Sequence, residues 1–290
     1  MAGRFSRGWL LVGQSWEVLK LDKELLLFPV LSTFAWLIVM ASFVAPVAFT
    51  GQFQHWFGGG PGGRTMPADP LFYAWLFAFY FVSYAVITFF NAALISAAIE
   101  RFGGGNPTIG SGLAAAAARL PQIVAWALVA ATVGVILKII EDRGKGVGRF
   151  VVGLLGAAWS IATYFVVPIL VVEQVGPFES IKRSGSIIKR TWGEGLTGNL
   201  GLSVVFFLLF LGASVPLLLG VAAMAALNAG PLPFLLGTGV SVALWIVLSL
   251  VSSTLKTILV AALYEFAASG KVPGQFDAGL LRGAFRVKGT

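Results

Sequence analysis

The sequence predicts an all-α, polytopic membrane protein with six transmembrane helices, and three observations carry this prediction. Hydrophobic residues make up 58% of the 290-residue chain, charged residues only 11%, and the mean hydropathy is +0.89. A soluble domain carries about 25% charged residues, so this chain has too few charges to cover a globule of its size. Six apolar runs have the ~20 residues that a membrane span needs, and none alternates with the period of a strand.

The six predicted spans are continuous apolar runs that satisfy their backbone polar groups internally, as helices do in lipid. They cover residues 25–49, 71–99, 121–140, 150–172, 196–227 and 234–266. Several are longer than the hydrocarbon is thick, so these helices tilt or project beyond it. Pro46, Pro168 and Pro216 lie inside spans and are expected to bend them.

Basic residues are concentrated in alternate connections. The N-terminal segment, the second and fourth connections and the tail together hold fourteen lysines and arginines, against four in the other three connections. The positive-inside rule therefore predicts a multi-pass membrane protein with both termini in the cytoplasm. The third connection fits least well, because it carries Arg143, Lys145 and Arg149 on the outer side.

A similar pattern follows each even-numbered span: a glutamate, a glycine-containing turn, a proline and a short helical segment. The glutamates and prolines are Glu100 and Pro107, Glu173 and Pro177, and Glu265 and Pro273. This order predicts three helical hairpins, each followed by a short amphipathic helix at the membrane interface, over 108–120, over 177–192 and in the 267–290 tail. Residues 1–24 form a similar N-terminal helix. The alternative is that any helix leaving a membrane tends to end in glycine, proline and a charge.

The segment 178–192 shows the amphipathic pattern most clearly. Phe178, Ile181, Ile188 and Trp192 fall on one narrow helical face. Such a helix is expected in the interface plane, with its basic side toward anionic lipid headgroups. The candidate headgroup ligands are Lys182, Arg183, Lys189 and Arg190. The alternative is that the apolar face packs on neighbouring helices.

Polar residues inside or near the spans are the other candidate site. Ser249, Ser253 and Lys256 share one face of the sixth span and form its most polar stripe. The stripe could line a water-filled path or bond across a helix interface, and Lys256 could snorkel to the interface or pair with a glutamate. Glu100, Glu173 and Glu265 could face a shared cavity or pair with basic residues at the inner level.

The sequence offers no catalytic, cofactor or metal site. The chain has no cysteine and a single histidine, His55, and its glycine-rich runs lack the phosphate-loop pattern. We therefore expect no enzymatic activity, no cofactor and no nucleic acid partner. We interpret the net charge of +8 as basic residues that contact anionic lipid headgroups and set the membrane topology.

Two segments carry a family resemblance. The pattern RGW…SW…L…DKELLLFPVLS (Arg7–Ser32) and the segment VVEQVGPFESIKRSGSIIKRTWGE (171–194), with the six-span layout, resemble an uncharacterised family of bacterial integral membrane proteins. A looser similarity is to the membrane domain of glycerophosphodiester phosphodiesterases. The resemblance implies a membrane fold located in the bacterial cytoplasmic membrane, but it brings no catalytic residues.

Two functions are consistent with these features. The first is a structural or accessory membrane protein that interacts with lipids through its amphipathic helices. The alternative is a homo-oligomeric channel or transporter for ions or small solutes, with the Lys256 stripe as its lining. The expected partners are membrane lipids with anionic headgroups, and the sequence leaves a homo-oligomer open.

Overall fold

The computed structural model describes residues 4–57, 69–143, 147–191, 195–227 and 230–284, and every regular element in these ranges is a helix. The all-α prediction is therefore confirmed. The helices are α1 (Arg4–Leu21), a short 3₁₀ helix (Lys23–Leu26), α2 (Leu27–Phe49), α3 (Gln52–Phe57), α4 (Pro70–Phe102), α5 (Ile109–Ala117), α6 (Leu120–Arg143), α7 (Val147–Ala162), α8 (Val166–Glu173), α9 (Pro177–Thr191), α10 (Gly195–Ala213), α11 (Val215–Leu227), α12 (Leu232–Ser269) and α13 (Ala278–Ala284).

Within the described ranges, six helical segments are long and apolar enough to cross a membrane, as predicted. They cover Lys23–Phe49, Pro70–Phe102, Leu120–Asp142, Phe150–Glu173, Val205–Ala226 and Leu232–Ser269. The fourth segment consists of α7 and α8, and the fifth lies across α10 and α11. The grouping of the spans into hairpins and the interfacial position of the short helices stay predictions.

The chain forms two compact units, each assembled from segments that are distant in sequence. The first contains Met1–Pro29, Ala98–Asn106 and Thr191–Thr290, and the second contains Val30–Ala97 and Pro107–Arg190. Each unit has its own buried core.

The long helix α12 lies at the centre of the first unit. Its carboxyl-terminal half is buried at Leu255, Leu259 and Leu263, and the helix contacts α1, α10 and α11. The helix ends at Gly270, whose φ of 72° is the left-handed conformation that terminates many helices. The unit therefore has a buried core around the end of the sixth span, with α1 packed against α10 and α12.

α11 and α12 approach each other closely through glycines. A Cβ atom on Gly220 would overlap the carbonyl oxygen of Pro233, and one on Gly237 would overlap the carbonyl oxygen of Pro216. Small residues at such positions let the two backbones come close together. In a membrane the hydrophobic effect does not drive helices together, so these close van der Waals contacts stabilise the pair. The fifth and sixth spans are thus a tightly packed pair.

The second unit is rich in aromatic contacts. The Phe43 ring of α2 contacts the Phe79 ring of α4 at a centroid distance of 5.6 Å, and the Trp75 indole N–H donates to the Phe43 carbonyl at 3.2 Å. The Trp56 indole N–H donates to the Asp69 carboxylate at 2.8 Å. Trp126 of α6 stacks on Trp159 of α7 at 5.9 Å. These contacts join α2 to α4 and α6 to α7.

The fourth span is interrupted at residues 163–165, three to five residues before Pro168. Proline has no N–H to donate and its ring clashes with the carbonyl of the fourth residue before it, here Tyr164. The Phe165 N–H is left without a helical acceptor and donates instead to the Ser184 hydroxyl of α9 at 3.1 Å. A residue of α9, outside the span, thus provides the acceptor for the N–H group at the break.

The fifth span is interrupted at Ser214, two residues before Pro216. The Leu217 N–H donates to the Ser241 hydroxyl of α12 at 3.0 Å. Each unit therefore contains one broken span whose freed backbone N–H is bonded by a serine from a neighbouring helix. Pro46, by contrast, lies inside the continuous helix α2.

Candidate functional site

The amphipathic helix α9 holds the candidate headgroup residues, and it begins at Pro177, a residue well suited to a first helical turn. Lys182, Arg183 and Lys189 are all exposed. The side chain of Arg190, and the whole of Trp192, lie outside the part that the structure describes. The basic side of the predicted helix therefore faces away from the protein at the three positions that can be examined.

The buried side of α9 differs from the predicted apolar face. Ser180 and Ser184 are 0% exposed, and Ile181 packs against the cluster formed by Trp126, Ala130, Val166 and Leu170. Phe178, which was assigned to the same face as Ile181, is 75% exposed. The helical spacing still places both residues on one side, but only Ile181 packs against protein, because Ser184 faces the break in the fourth span, where it accepts the Phe165 N–H.

The outward flank of α9 combines one aromatic ring with two cations. At 100° per residue, Phe178, Lys182 and Lys189 fall within a sector of about 40°. An exposed aromatic side chain beside lysines is typical of a helix that lies at the membrane interface. We call Phe178, Lys182 and Lys189 the α9 flank.

Arg183 and Glu173, predicted for two different roles, form an ion pair with each other. The Arg183 Nε atom lies 2.9 Å from the Glu173 carboxylate and 3.7 Å from that of Glu179. The pair joins α9 to the end of α8, across the turn at Gly176. Arg183 is thus held by two carboxylates, so it is less suited to a lipid phosphate than Lys182 and Lys189.

The other two candidate glutamates have different environments. Glu100 is exposed near the end of α4. Glu265 in α12 is half-buried, and its Oε2 atom makes no hydrogen bond within the described residues.

The polar stripe of the sixth span lies on the surface. Ser249, Ser253 and Lys256 are all exposed on one side of α12. The neighbouring polar residues Ser252 and Thr254 are buried on the other sides of the helix. The stripe therefore lines no path inside the first unit.

The N-terminal helix α1 has an outward flank like that of α9. Leu11, Val18 and Leu19 are buried, whereas Trp9 and Trp16 are 63% and 42% exposed. Trp9, Trp16 and Lys20 fall within a sector of about 40°. We call Trp9, Trp16 and Lys20 the α1 flank. The spacing of these three residues could have revealed the flank, but the sequence analysis did not single them out.

A buried ion pair in the first unit was not predicted from the sequence. Asp22, which precedes the first span, is 7% exposed and forms a bidentate pair with Arg101 at the end of α4. Arg101 also donates to the Asn106 side chain at 2.9 Å. In the second unit, the Arg119 Nε donates to the Val171 carbonyl at 3.1 Å. Sequence alone gives no signal for either contact, because the partners are far apart in the chain.

Among the described residues, no three or more histidine or acidic side chains lie close enough together to hold a metal ion.

Most of the chain matches the model of one protein family. Residues 71–274 match the model of a family of unknown function, DUF6159. The chain belongs to this family. The matched residues include α9 and all of α12, whereas the α1 flank and the first span precede the match. No curated protein and no solved structure matches the chain.

Membership of DUF6159 agrees with the predicted resemblance to an uncharacterised family. The family description assigns no activity. The candidate functional surfaces of this DUF6159 protein are therefore the α1 flank, the α9 flank and the stripe on α12.

Proposed function

We propose that this protein is a structural or accessory protein of the bacterial cytoplasmic membrane that interacts with anionic lipids through amphipathic helices on its cytoplasmic side. The proposal includes both termini in the cytoplasm and no enzymatic activity. The orientation of the termini follows from the asymmetric distribution of lysine and arginine between alternate connections.

Contacts at the ends of the spans support this topology. The Asp22–Arg101 pair joins the start of the first span to the end of the second. The bond from Arg119 to the Val171 carbonyl joins the start of the third span to the end of the fourth. The starts of the first and third spans thus meet the ends of the second and fourth, which supports an arrangement of these four spans as hairpins.

The α9 flank is the observation that carries the lipid proposal. Ser184 and Ile181 fix the neighbouring sides of α9 to the protein, and Phe178, Lys182 and Lys189 are exposed on the remaining side. An aromatic ring at headgroup depth avoids water, and each basic residue near an anionic surface contributes roughly 1 kcal/mol of attraction. The α1 flank has the same composition, with two tryptophans and one lysine.

The absence of cysteine from the sequence allows a direct test with one fluorescent label. Ser186 is exposed on α9, between Lys182 and Lys189 in sequence. A Ser186→Cys variant labelled with bimane would be reconstituted in bilayers in which either phosphatidylglycerol or phosphatidylcholine carries bromine, which quenches nearby fluorophores. We expect several-fold stronger quenching by the brominated phosphatidylglycerol.

The control replaces Lys182 and Lys189 by glutamine in the labelled protein, which keeps the length and helix propensity of both side chains. The preference for phosphatidylglycerol is expected to disappear. Equal quenching by the two lipids in the labelled parent protein would overturn the proposal.

The channel alternative requires several copies of the chain. Because Ser249, Ser253 and Lys256 lie on the outside of α12, only neighbouring copies could enclose them in a path. Liposomes containing the protein would then conduct ions or release a small solute, and Lys256→Leu would abolish the flux. We expect neither ion conduction nor solute release from liposomes that contain the parent protein.

A further inference from the structure

We propose that Lys256, with Ser249 and Ser253, binds the headgroup phosphate of an anionic phospholipid in the inner leaflet. The site names a lipid class for the proposed function and rests on it only for the membrane location. It lies on α12 in the first unit, whereas nearly all of α9, including its flank, lies in the second.

The side chains exposed on α12 change character just before this stripe. The large apolar residues exposed to the surroundings end with Val247, and no large apolar residue after it on this helix is exposed. They are Leu232, Leu235, Leu236, Val240, Val242, Leu244, Ile246 and Val247. Every fully exposed position from Ser249 to Lys256 is polar. The lipid-facing hydrocarbon band of the sixth span therefore ends close to Ser249.

The length of α12 places Lys256 at the depth of the phosphates. From Leu232, a rise of 1.5 Å per residue puts Ser253 at about 31 Å and Lys256 at about 36 Å along the axis. The hydrocarbon core is about 30 Å thick. The Lys256 ammonium thus lies at the inner headgroup layer, Ser253 lies at the boundary of the hydrocarbon, and Ser249 lies about one helical turn further in.

The three polar groups of the stripe lack protein partners within the described residues. No carboxylate lies within 4.0 Å of the Lys256 ammonium there. The hydroxyls of Ser249 and Ser253 make no hydrogen bond to a described residue, whereas Thr254 and Thr257 on the same helix bond back to carbonyls one turn earlier at 2.9 and 3.0 Å. One cation and two free hydroxyl donors thus point outward together.

Glu265 is the nearest glutamate on the same helix, and it cannot supply the missing charge. It lies nine residues beyond Lys256, about 14 Å along the axis and on the opposite side of the helix. The sequence-based suggestion that Lys256 pairs with a glutamate therefore has no support within the described residues. The described residues thus offer Lys256 no counter-charge, and we assign that charge to a lipid.

A phospholipid fits this face better than a second copy of the protein. Two copies in one membrane related by a two-fold axis along its normal would place one Lys256 beside the other, and like charges repel. A lipid phosphate carries the opposite charge and accepts hydrogen bonds from an ammonium and from hydroxyls. Phosphatidylglycerol keeps its net charge available, whereas the ammonium of phosphatidylethanolamine already accompanies its phosphate.

Native mass spectrometry of the full-length protein tests the site. The protein would be released from bilayers that contain equal amounts of phosphatidylglycerol and phosphatidylethanolamine, and the lipids that stay bound would be counted. We expect retained phosphatidylglycerol in the parent protein, about fivefold less after Lys256→Gln, and near-parent retention after Lys256→Arg. The Ser249→Ala and Ser253→Ala double variant should lie between the parent and Lys256→Gln.

The matched control is Lys138→Gln, because Lys138 already has a partner in Glu141 at 2.9 Å. It should leave retention unchanged. If Lys256→Gln retains as much phosphatidylglycerol as the parent, the inference is overturned while the α9 proposal stands, since bimane quenching at Ser186 reports that proposal separately. Disulfide formation between copies of a Ser253→Cys variant in native membranes would also overturn it, by showing a protein contact on this face.

Discussion

Gly237 and Gly220 are the residues on which the packing of the fifth and sixth spans depends. Alanine is usually favoured over glycine inside a helix, by up to about 1 kcal/mol. At Gly237, however, the added methyl group would overlap the carbonyl oxygen of Pro216. We expect Gly237→Ala to destabilise the protein by about 1–3 kcal/mol, the usual cost of overpacking. The measurement is the temperature at which the detergent-solubilised protein loses monodispersity.

Gly239 provides the matched control for that prediction. It lies two residues further along the same helix, and a Cβ atom there would meet nothing within 4 Å. Gly239→Ala should leave the transition temperature unchanged or raise it slightly. Equal losses for the two variants would show that close helix contact is not the cause.

The buried pair of Asp22 and Arg101 gives a second prediction at the residue scale. Their side chains are 7% and 17% exposed, so removing one partner leaves a poorly solvated charge. Asp22→Ala should cost about 3–5 kcal/mol, whereas replacing both residues, by Asp22→Leu with Arg101→Met, should cost less than the single change. The transition temperatures of the two variants in detergent test this order.

Glu17→Gln is the control for the ion pair. Glu17 and Lys20 lie 2.7 Å apart on α1, but both side chains are at least half exposed. Such surface pairs contribute less than about 1 kcal/mol, so little change is expected. A double variant less stable than Asp22→Ala alone would contradict our reading of the Asp22–Arg101 pair.

Between elements, the bond from the Phe165 N–H to Ser184 joins α9 to the broken fourth span. Ser184→Ala would leave this buried N–H without an acceptor, at a cost of about 1–3 kcal/mol. Hydrogen exchange at the Phe165 amide should become faster, and the α9 flank should lose its fixed orientation. Both effects follow from the loss of one acceptor.

Ser180 is an internal control for that change, since it is equally buried on the same helix. Its hydroxyl donates to the Gly176 carbonyl at 2.9 Å, and that carbonyl also accepts the Ser180 N–H at 3.0 Å. Ser180→Ala therefore removes no essential acceptor, and exchange at Phe165 should stay slow. Faster exchange in both variants would mean that Ser184 has no special role.

The number of spans was predictable because hydropathy and length depend on neighbouring residues only, although the fifth span begins at Val205 and not at residue 196. The breaks at residues 163–165 and at Ser214 were indicated by Pro168 and Pro216. The serines that satisfy them were not predictable, because Ser184 and Ser241 follow their partners by 19 and 24 residues and look like ordinary helix residues in the sequence.

The burial of individual residues on α9 was not predictable for a related reason. Amphipathic spacing shows which side of a helix avoids water, but not whether lipid or protein covers that side. Ile181 is covered by protein and Phe178 is exposed, although both are apolar and nearby on the helix. The basic positions Lys182 and Lys189 were predicted correctly as exposed, because long cationic side chains are rarely buried without a partner.

At the scale of the whole molecule, the account depends on sidedness. If six spans cross the membrane and both termini are cytoplasmic, then α9 and the end of α12 each lie on the cytoplasmic side. The lysines of α9 and of the stripe then meet the inner leaflet. Anionic lipid in that leaflet attracts them. Every proposal about lipid made above requires this arrangement.

Labelling of single cysteines in intact cells tests that arrangement most directly, since the sequence contains no cysteine of its own. Exposed positions are Gln54 in α3, Ser186 in α9 and Ser269 at the end of α12. With a membrane-impermeant maleimide, Gln54→Cys should be labelled in intact cells, and Ser186→Cys and Ser269→Cys only after the membrane is opened. Labelling of Ser186→Cys in intact cells, or of Gln54→Cys only in opened cells, would contradict the account.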